Sequence, residues 1–416
     1  MSSRAVVIGG GPAGLMAAEQ LAAAGLAVTV FDRAPSVGRK FLLAGRGGLN
    51  LTHTEPLETL LDRYGAARPA LQSAIEAFGP DQLRAWSAGL GEVTFVGSSG
   101  RVFPASFRST PLLRAWLARL GDLGVEIVVR TAWSGWSDDG ALELRHVVTG
   151  EVRTERPDVT VLAMGGASWP RTGSDGAWVE AVAASGIDIA PIRPANCGFI
   201  VNWSAGFAQR FGGVPLKNIA VTTGGVDPVR GEAMITSTGI EGGAVYGVAA
   251  RLRELVEAGA PAELVIDLRP DLDVAGIVRR LTDRRDSDST STRLRRGAGL
   301  PPVAVALLAE VVGAPLPADP ELLARLIKAV PIPVVSTQLI ARAISTAGGV
   351  RLDQVDEHFM LRDRPGTFVA GEMLDWEATT GGYLLQASFS TGVAAARGAV
   401  DWLMSNVETE PSLPDR

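Results

Sequence analysis

The sequence predicts an α/β protein with a Rossmann-like dinucleotide-binding unit, interrupted by a β-rich and a helical insertion. Three observations carry this. Residues 5–8 form a short apolar run, followed by Gly9-Gly10-Gly11-Pro12-Ala13-Gly14, a small-residue helix from Leu15 to Ala24, and a second apolar strand, Ala27 to Phe31, that ends at Asp32. Near the other chain end a second glycine-rich turn, Gly381-Gly382-Tyr383, leads into a long helix. From about residue 190 the chain changes to short apolar runs separated by Gly, Pro and Asn.

Each residue of the first unit has a physical task. Gly9 permits the tight turn, Gly11 lets a pyrophosphate approach the backbone, and Gly14 lets helix and strand pack closely. Pro12 suits a first helical position, where no amide is missed. The anion then meets unpaired amides at the positive helix end, beside Ala13. Asp32 can accept from ribose hydroxyls, and its charge disfavours a 2′-phosphate, so NADP is not expected here.

Composition narrows the classes. At 416 residues, two or three domains are expected. Forty-nine glycines suit close backbone–ligand approaches. A net charge of −6 gives no electrostatic case for nucleic acid, and no apolar run is long enough to span a bilayer. The N-terminus enters its first strand at once, so no signal peptide and a cytoplasmic location are expected. A single cysteine, Cys197, excludes an intrachain disulfide and reads as a buried structural thiol. Three histidines make a metal site unexpected; His146 and His358 read as surface residues.

Along the chain, residues 38–53 read as a cationic, glycine-rich loop carrying Arg39, Lys40, Gly45, Arg46, Gly48, Asn50 and His53, suited to wrapping an anion. Residues 56–89 read as two helices, and Pro111 to Leu120 as another. Trp133 to Val148 alternates like a hairpin turning at Asp138-Asp139-Gly140. Val159 to Met164 reads as a buried strand ending at Gly165-Gly166, followed by Trp169 and Arg171 and a helix from Ala177 to Ser185. Residues 190–270 read as β-rich, with a helix near Gly243 to Ala258. Residues 271–330 read as helical. Arg279, Arg280, Arg284, Arg285, Arg293, Arg295 and Arg296 among them, interspersed with aspartates, read as a solvated helix–loop. Gly366 to Asp375 reads as a strand ending in an acidic turn with Gly371 and Glu372, and Ala387 to Met404 as a closely packed helix. The tail after Val407 reads as disordered.

Only one strand–glycine–helix unit is present, whereas a flavoenzyme with its own NAD(P)H domain normally carries two. The candidate site instead draws on both chain ends, a reach that suits the extended FAD. Asp375 is placed to bond a ribityl hydroxyl, Gly382 and Tyr383 to offer amides to the pyrimidine edge, and the last helix to stabilise an anion of the reduced ring. Residues 1–190 and 343–416 are then a discontinuous FAD-binding domain, 191–270 and 331–342 a β-rich insert, and 271–330 a helical insert.

These residues carry a family resemblance. Gly9–Gly14, Gly38–His53, Leu162–Gly176, Thr236–Gly243 and Gly371–Asp375 through Gly381-Gly382-Tyr383 resemble, in order, the aminoacetone-oxidase-like, bile-acid-reductase-like (BaiN-like) FAD flavoproteins over nearly their whole length. The resemblance implies a glutathione-reductase-type FAD domain with inserted β-barrel-like and helical domains. It also implies cofactor contacts at Arg39, Lys40, Gly45, the Ala132 region, Gly165, Asp375, Gly382 and Tyr383. Arg33, Gly48, Gly166, Gly371 and Glu372 complete the expected cofactor-binding set. The chain departs from the pattern at Gly47-Gly48-Leu49-Asn50, Glu241-Gly242-Gly243 and Leu384.

The expected function is FAD-dependent hydride transfer between a small organic substrate and flavin, with reoxidation by O2 or reduction by transient NAD(P)H. The candidates facing the ring are Arg46, Asn50, His53, Trp169, Arg171 and Tyr383. Arg46 or Arg171 suits a substrate carboxylate, and His53 an acid–base role. Two alternatives are an RNA-modifying flavoprotein, against which the net charge and single cysteine speak, and a non-catalytic FAD-binding redox protein. Neither a membrane nor a nucleic-acid partner is expected, and oligomeric state is open.

Overall fold

The structure, a computed structural model, describes residues 3–283 and 288–407, without the side chains of Arg46 and Val407. The expected tail and Arg284 and Arg285 lie outside the described residues. The chain divides into two compact units, residues 1–193 with 345–416, and residues 194–344.

The first unit is built on a five-stranded parallel sheet in the order Thr367–Val369, Val159–Leu162, Arg4–Ile8, Ala27–Phe31, Glu126–Val128. The central strands are apolar on both faces because both are covered: one shares a core with the helices Pro12–Ala23 and Tyr383–Val407, the other with Trp133, Leu142, Leu144 and Trp178. The helix Pro12–Ala23 packs against the last helix, Tyr383–Val407, so the two ends of the chain meet in one core. That helix begins at Tyr383, four residues earlier than expected, its first turn Tyr383-Leu384-Leu385-Gln386 following directly on the glycine pair Gly381-Gly382. A three-stranded antiparallel meander (Thr131–Trp136, Leu142–His146, Val152–Glu155) realises the expected hairpin, with Gly140 at φ +81° in its turn.

Two expectations need correction. Residues 38–53 are not a simple loop. Gly38 in the left-handed region opens a short helix, Arg39–Ala44, then a 3-10 turn and a strand, Thr52–His53. The helix is fixed by Phe41, buried edge-on against Trp116 at 6.4 Å and Phe389 at 6.5 Å. Residues 56–89 hold three α-helices, not two: Leu57–Asp62, Arg68–Ala77 and Pro80–Gly89. Pro56, Pro69 and Pro80 each fall at a cap or first-turn position, where a missing amide costs nothing, and each starts a new helix.

The second unit holds a seven-stranded sheet in the order Val330–Pro333, Glu263–Asp267, Pro215–Thr222, Val229–Thr236, Gly239–Glu241, Phe199–Ile200, Ser336–Thr337. All its neighbours pair antiparallel. The helices Val274–Thr282, Thr290–Arg296, Pro302–Val312 and Pro320–Lys328 share one apolar core with this sheet rather than forming a core of their own. Their amphipathic faces (Ile277, Leu281, Leu294, Leu307, Leu323, Ile327) have no other surface to bury against. No described helix is long and apolar enough to cross a membrane.

Candidate functional site

The glycine turn shows the tight turn and the close helix–strand packing read from its spacing. Gly9 sits at φ +108°, and a Cβ there would lie 2.3 Å from the Ala163 carbonyl oxygen. At Gly14 a Cβ would lie 1.9 Å from the Gly9 carbonyl oxygen, so strand and helix touch backbone to backbone. Gly11 differs: nothing lies within 4 Å of where its Cβ would stand. Crowding makes Gly9 and Gly14 glycines, whereas Gly11 faces open space, as a ligand-approach position requires. Pro12 opens the helix, and its first intrahelical bond is Leu15 N–H to Gly11 C=O at 2.9 Å, which leaves the Ala13 and Gly14 amides ahead of it.

Asp32 ends the second strand and accepts from the Gly10 amide at 2.8 Å and the Ala34 amide at 2.7 Å. Burial pushes its carboxyl above the ordinary aspartate range, against the pull of these two amides and of Arg33 and Arg39. Arg33 pairs with Asp175 across from the same strand end. Ala132 starts the meander beside this corner, where the Thr131 amide donates to the Asp32 carbonyl at 2.9 Å.

Lys40 binds three distant stretches together. Its ammonium donates to Ser168 Oγ at 2.8 Å and to Glu372 at 2.5 Å, and the other Glu372 oxygen accepts from the Thr346 amide at 3.0 Å. Thr346 Oγ1 also accepts from the Ala167 amide at 2.9 Å and fills the place of a Cβ at Gly166. Lys40 and Glu372 are thus an ion pair that fastens the strand-end loops. Arg39 donates to the Arg171 carbonyl at 3.1 Å, while its buried Nε has no hydrogen-bond partner. Arg171 itself is exposed. Gly165 at φ +73° is fixed by Trp178, whose indole donates to its carbonyl at 2.8 Å.

The chain's far end closes the same region. At Gly392 a Cβ would lie 2.4 Å from the Ala13 carbonyl oxygen, and at Gly371 one would lie 2.7 Å from Ala13 Cβ. At Gly382, φ +101°, a Cβ would lie 2.6 Å from the Thr52 backbone. Asp375 is held by its amide on the Val350 carbonyl at 2.8 Å, and burial raises its carboxyl against the pull of Arg193 and Arg351.

Around Tyr383 lies a cluster the sequence did not point to. Its ring stacks on His53 at 5.5 Å, its carbonyl accepts from the buried Tyr64 hydroxyl at 2.9 Å, and its phenol lies near the Glu55 carboxylate. Arg63 forks onto Glu55 at 2.8 and 3.1 Å and lies over the Tyr383 ring at 5.7 Å. Burial raises the Tyr383 phenol, and the nearby Glu55 carboxylate raises it further. Burial alone would raise Glu55, but the bonds from Arg63 and Tyr383 outweigh it and hold that carboxyl below its usual range. No local signal marks this set, because Glu55 and Arg63 are remote from Tyr383 in sequence.

His53 Nε2 meets the Ser99 carbonyl at 2.8 Å and so carries the proton, while its Nδ1 accepts from the Glu55 amide at 3.1 Å. Both ring nitrogens are committed. Asn50 is part-buried with a buried Oδ1 that has no hydrogen-bond partner. Gly45 and Gly48 are closed by Ser109 Oγ at 2.3 Å and the Phe107 ring at 2.4 Å from their would-be Cβ atoms. Trp169 sits in the left-handed region at φ +59°. Among the described residues no three His, Cys, Asp or Glu side chains gather as a metal site.

The residues fit an extended dinucleotide: an open glycine at a helix start, an acid at the second strand end, and the polar atoms Asn50 Oδ1 and Arg39 Nε left without protein partners. Fold and site together are those of an FAD-dependent oxidoreductase. The chain belongs to the HI0933-like family, whose Rossmann-domain model matches residues 3–398, so the resemblance read from the motifs holds. It is 26% identical over 415 residues, 96% of this chain and 99% of the relative, to the 3-dehydro-bile acid delta(4,6)-reductase of Clostridium scindens. Over 53 residues, 13% of each chain, it is 49% identical to the ribosomal RNA dihydrouridine synthase of Haemophilus influenzae. The 3-ketosteroid delta1-dehydrogenase structure from Sterolibacterium denitrificans shares the fold, with a TM-score of 0.53 and 14% identity, covering 96% of this chain and 100% of that one.

Proposed function

We propose that the chain is an FAD-dependent oxidoreductase that saturates a C=C bond conjugated to a carbonyl, with NAD(P)H as a transient electron donor. The observation that carries this is the full-length similarity to a delta(4,6)-reductase, joined to a glycine turn whose Gly11 position is open. Saturation takes a hydride and a proton, and bound FAD supplies the two-electron exchange.

The chain's own residues do the rest. Gly11 and the amides of Ala13 and Gly14 would receive the pyrophosphate, and Asp32 the ribose. Asp375 would take a ribityl hydroxyl, and the first amides of the helix Tyr383–Val407 an anionic ring edge. Asn50 Oδ1 is the acceptor available to a ring or substrate N–H or O–H. The Tyr383 phenol stays protonated at neutral pH, since burial and Glu55 both favour its neutral form, and Arg63 fixes Glu55 in turn. Tyr383 is therefore the proton-holding group of the set, in place of His53.

The test is anaerobic. Purified protein should be yellow, release FAD on denaturation, and bleach on mixing with NADH or NADPH; a cyclic enone should then restore the oxidised spectrum. A colourless protein that takes up no FAD would overturn the flavin reading. Bleaching by a reduced substrate instead of NAD(P)H, with recovery in O2, would make it an oxidase.

A second reading is favoured by the local match to a dihydrouridine synthase, whose product is also a saturated ring C=C. On that reading the substrate is an RNA uridine. RNA from cells lacking the protein would then lose dihydrouridine at a defined position, and restoring the chain would return it.

A further inference from the structure

The loop of residues 166–176 crosses the carboxyl edge of the parallel sheet, and its contacts fix its path. Its ends are pinned together, since the Gly176 amide donates to the Gly166 carbonyl at 3.1 Å. It leaves the strand Val159–Leu162 through Ala163, whose carbonyl oxygen crowds Gly9. It returns past the strand Ala27–Phe31, where a Cβ at Gly173 would lie 3.8 Å from Ala34 Cβ. In the sheet the strand Arg4–Ile8 lies between these two. The loop therefore passes over the end of the middle strand. That is where the glycine turn begins, and where open α/β sheets hold their ligands. A compact loop of this length with joined ends is an Ω-loop, a form that is frequently functional.

Pro170 and Arg171 in this loop are exposed, whereas Ser168 is fully buried and Ser174 is 7% exposed. The Lys40 ammonium donates to Ser168 Oγ, but Ser174 Oγ, beside Gly165, has no hydrogen-bond partner. A buried hydroxyl left unsatisfied is costly, and a ligand that completes it accounts for its retention. Arg39 Nε is also buried without a partner, on the segment that the loop leans on. That segment holds the loop at three points. Arg33 pairs with Asp175, Arg39 donates to the Arg171 carbonyl at 3.1 Å, and Lys40 donates to Ser168 at 2.8 Å. The Arg33–Asp175 pair is partly exposed, the weakest kind of ionic contact, so it opens most readily.

We propose that residues 166–176 form a roof over bound FAD. The Ser174 hydroxyl and Arg39 Nε donate to phosphate or ribose oxygens beneath it, and the Arg33–Asp175 pair is the latch that opens when the cofactor enters or leaves. The proposal rests on the FAD reading for the identity of the ligand. It rests on the loop's path and the two unpartnered groups for the place.

Two variants separate holding from latching. Ser174→Ala removes a hydroxyl that no protein atom uses, so the apoprotein should melt at the wild-type temperature or slightly above it. FAD should bind to it roughly fivefold more weakly or worse. Asp175→Asn keeps the acceptor for the Ala177 amide, now at 3.2 Å, but loses the charge that holds Arg33. FAD uptake and release should both quicken, by about threefold or more, while the affinity changes less than either rate. Uptake is read from flavin fluorescence on mixing FAD with apoprotein, and release from its recovery on diluting the holoprotein, so no turnover is needed. Unchanged affinity in Ser174→Ala, or a lower melting temperature of its apoprotein, would overturn the donor role. Unchanged rates in Asp175→Asn, or faster release without faster uptake, would overturn the latch. Firm FAD binding by the wild type with neither variant altered would strike the roof and leave the flavin reading standing. A wild type that takes up no FAD would remove both.

Discussion

At the residue scale, the glycines of the first turn separate folding from binding. Gly14 is enclosed by the Gly9 backbone, whereas Gly11 faces open space at φ −85°, which alanine adopts freely. Gly14→Ala should therefore destabilise the apoprotein by about 1–3 kcal/mol through overpacking. Gly11→Ala should leave its melting temperature unchanged and weaken FAD binding roughly tenfold or more, about 1.4 kcal/mol. Thermal melts with and without added FAD distinguish the two. Asp32 gives a pH dependence with a definite sign. Its carboxyl is raised by burial, so on acidification it gains its proton before an ordinary aspartate does. A folded-state value above the unfolded one means that this group by itself favours the folded chain as pH falls. FAD retention should nevertheless decline from above the usual carboxylate range (about pH 3.9), because the proton removes an acceptor. FAD fluorescence against pH, beside a melt of the apoprotein, should show release before unfolding. Asp32→Asn should bind weakly and flatten that pH profile. Tyr383→Phe should keep FAD and substrate binding while lowering turnover by roughly 10²–10⁴-fold, the usual worth of a positioned acid; an unchanged rate would assign the proton to solvent.

At the element scale, the elements most legible in sequence were those whose cause is local. The strand–glycine–helix unit, the meander turning at Gly140, and the strand ending at Gly165-Gly166 each announce themselves through periodicity and turn residues. The helix Arg39–Ala44 did not, because a helix of six residues is too short for periodicity and is held by Phe41 against the remote Trp116 and Phe389. The Lys40–Glu372 pair spans 332 residues, and Gln386 joins Thr52 at 2.6 Å to the Phe78 carbonyl at 2.8 Å across similar separations. Such contacts exist only once the fold has formed, so these pairings were not legible in the sequence. The last helix illustrates the other case: its run of small residues signalled a close neighbour but not which one. The neighbour is the first helix, with the Ala13 carbonyl filling the site of a Gly392 Cβ. Gly392→Val should push these helices apart and destabilise the protein by about 1–3 kcal/mol or more. It should also lower FAD affinity, since Ala13 lies in the turn that receives the pyrophosphate. A denaturant titration giving an unchanged midpoint would contradict this packing.

At the scale of the whole molecule, the change of character near residue 190 was legible because strand-forming runs replaced the parallel α/β alternation. That the helices of residues 274–328 would share the sheet's core was not, since an amphipathic face does not name the surface that covers it. The route of the chain has a testable consequence. The strand Ile189–Ala195, which leaves the first unit, pairs with Ser345–Val350, which re-enters it, and at Gly348 a Cβ would lie 2.1 Å from the Pro191 carbonyl oxygen. Exit and entry are therefore adjacent, and the first unit has its own cores on both faces of its sheet. Every residue assigned here to FAD belongs to that unit. A chain in which residues 196–343 are replaced by a short Gly-Ser linker should fold cooperatively, and loop closure of this length costs little. It should bind FAD with an affinity within about tenfold of the full chain, a difference of about 1.4 kcal/mol. Fluorescence titration of the refolded apoprotein measures this. Loss of FAD binding by a well-folded linker variant would mean that residues 194–344 supply part of the cofactor's hold, and the assignment of the whole dinucleotide to the two chain ends would fall.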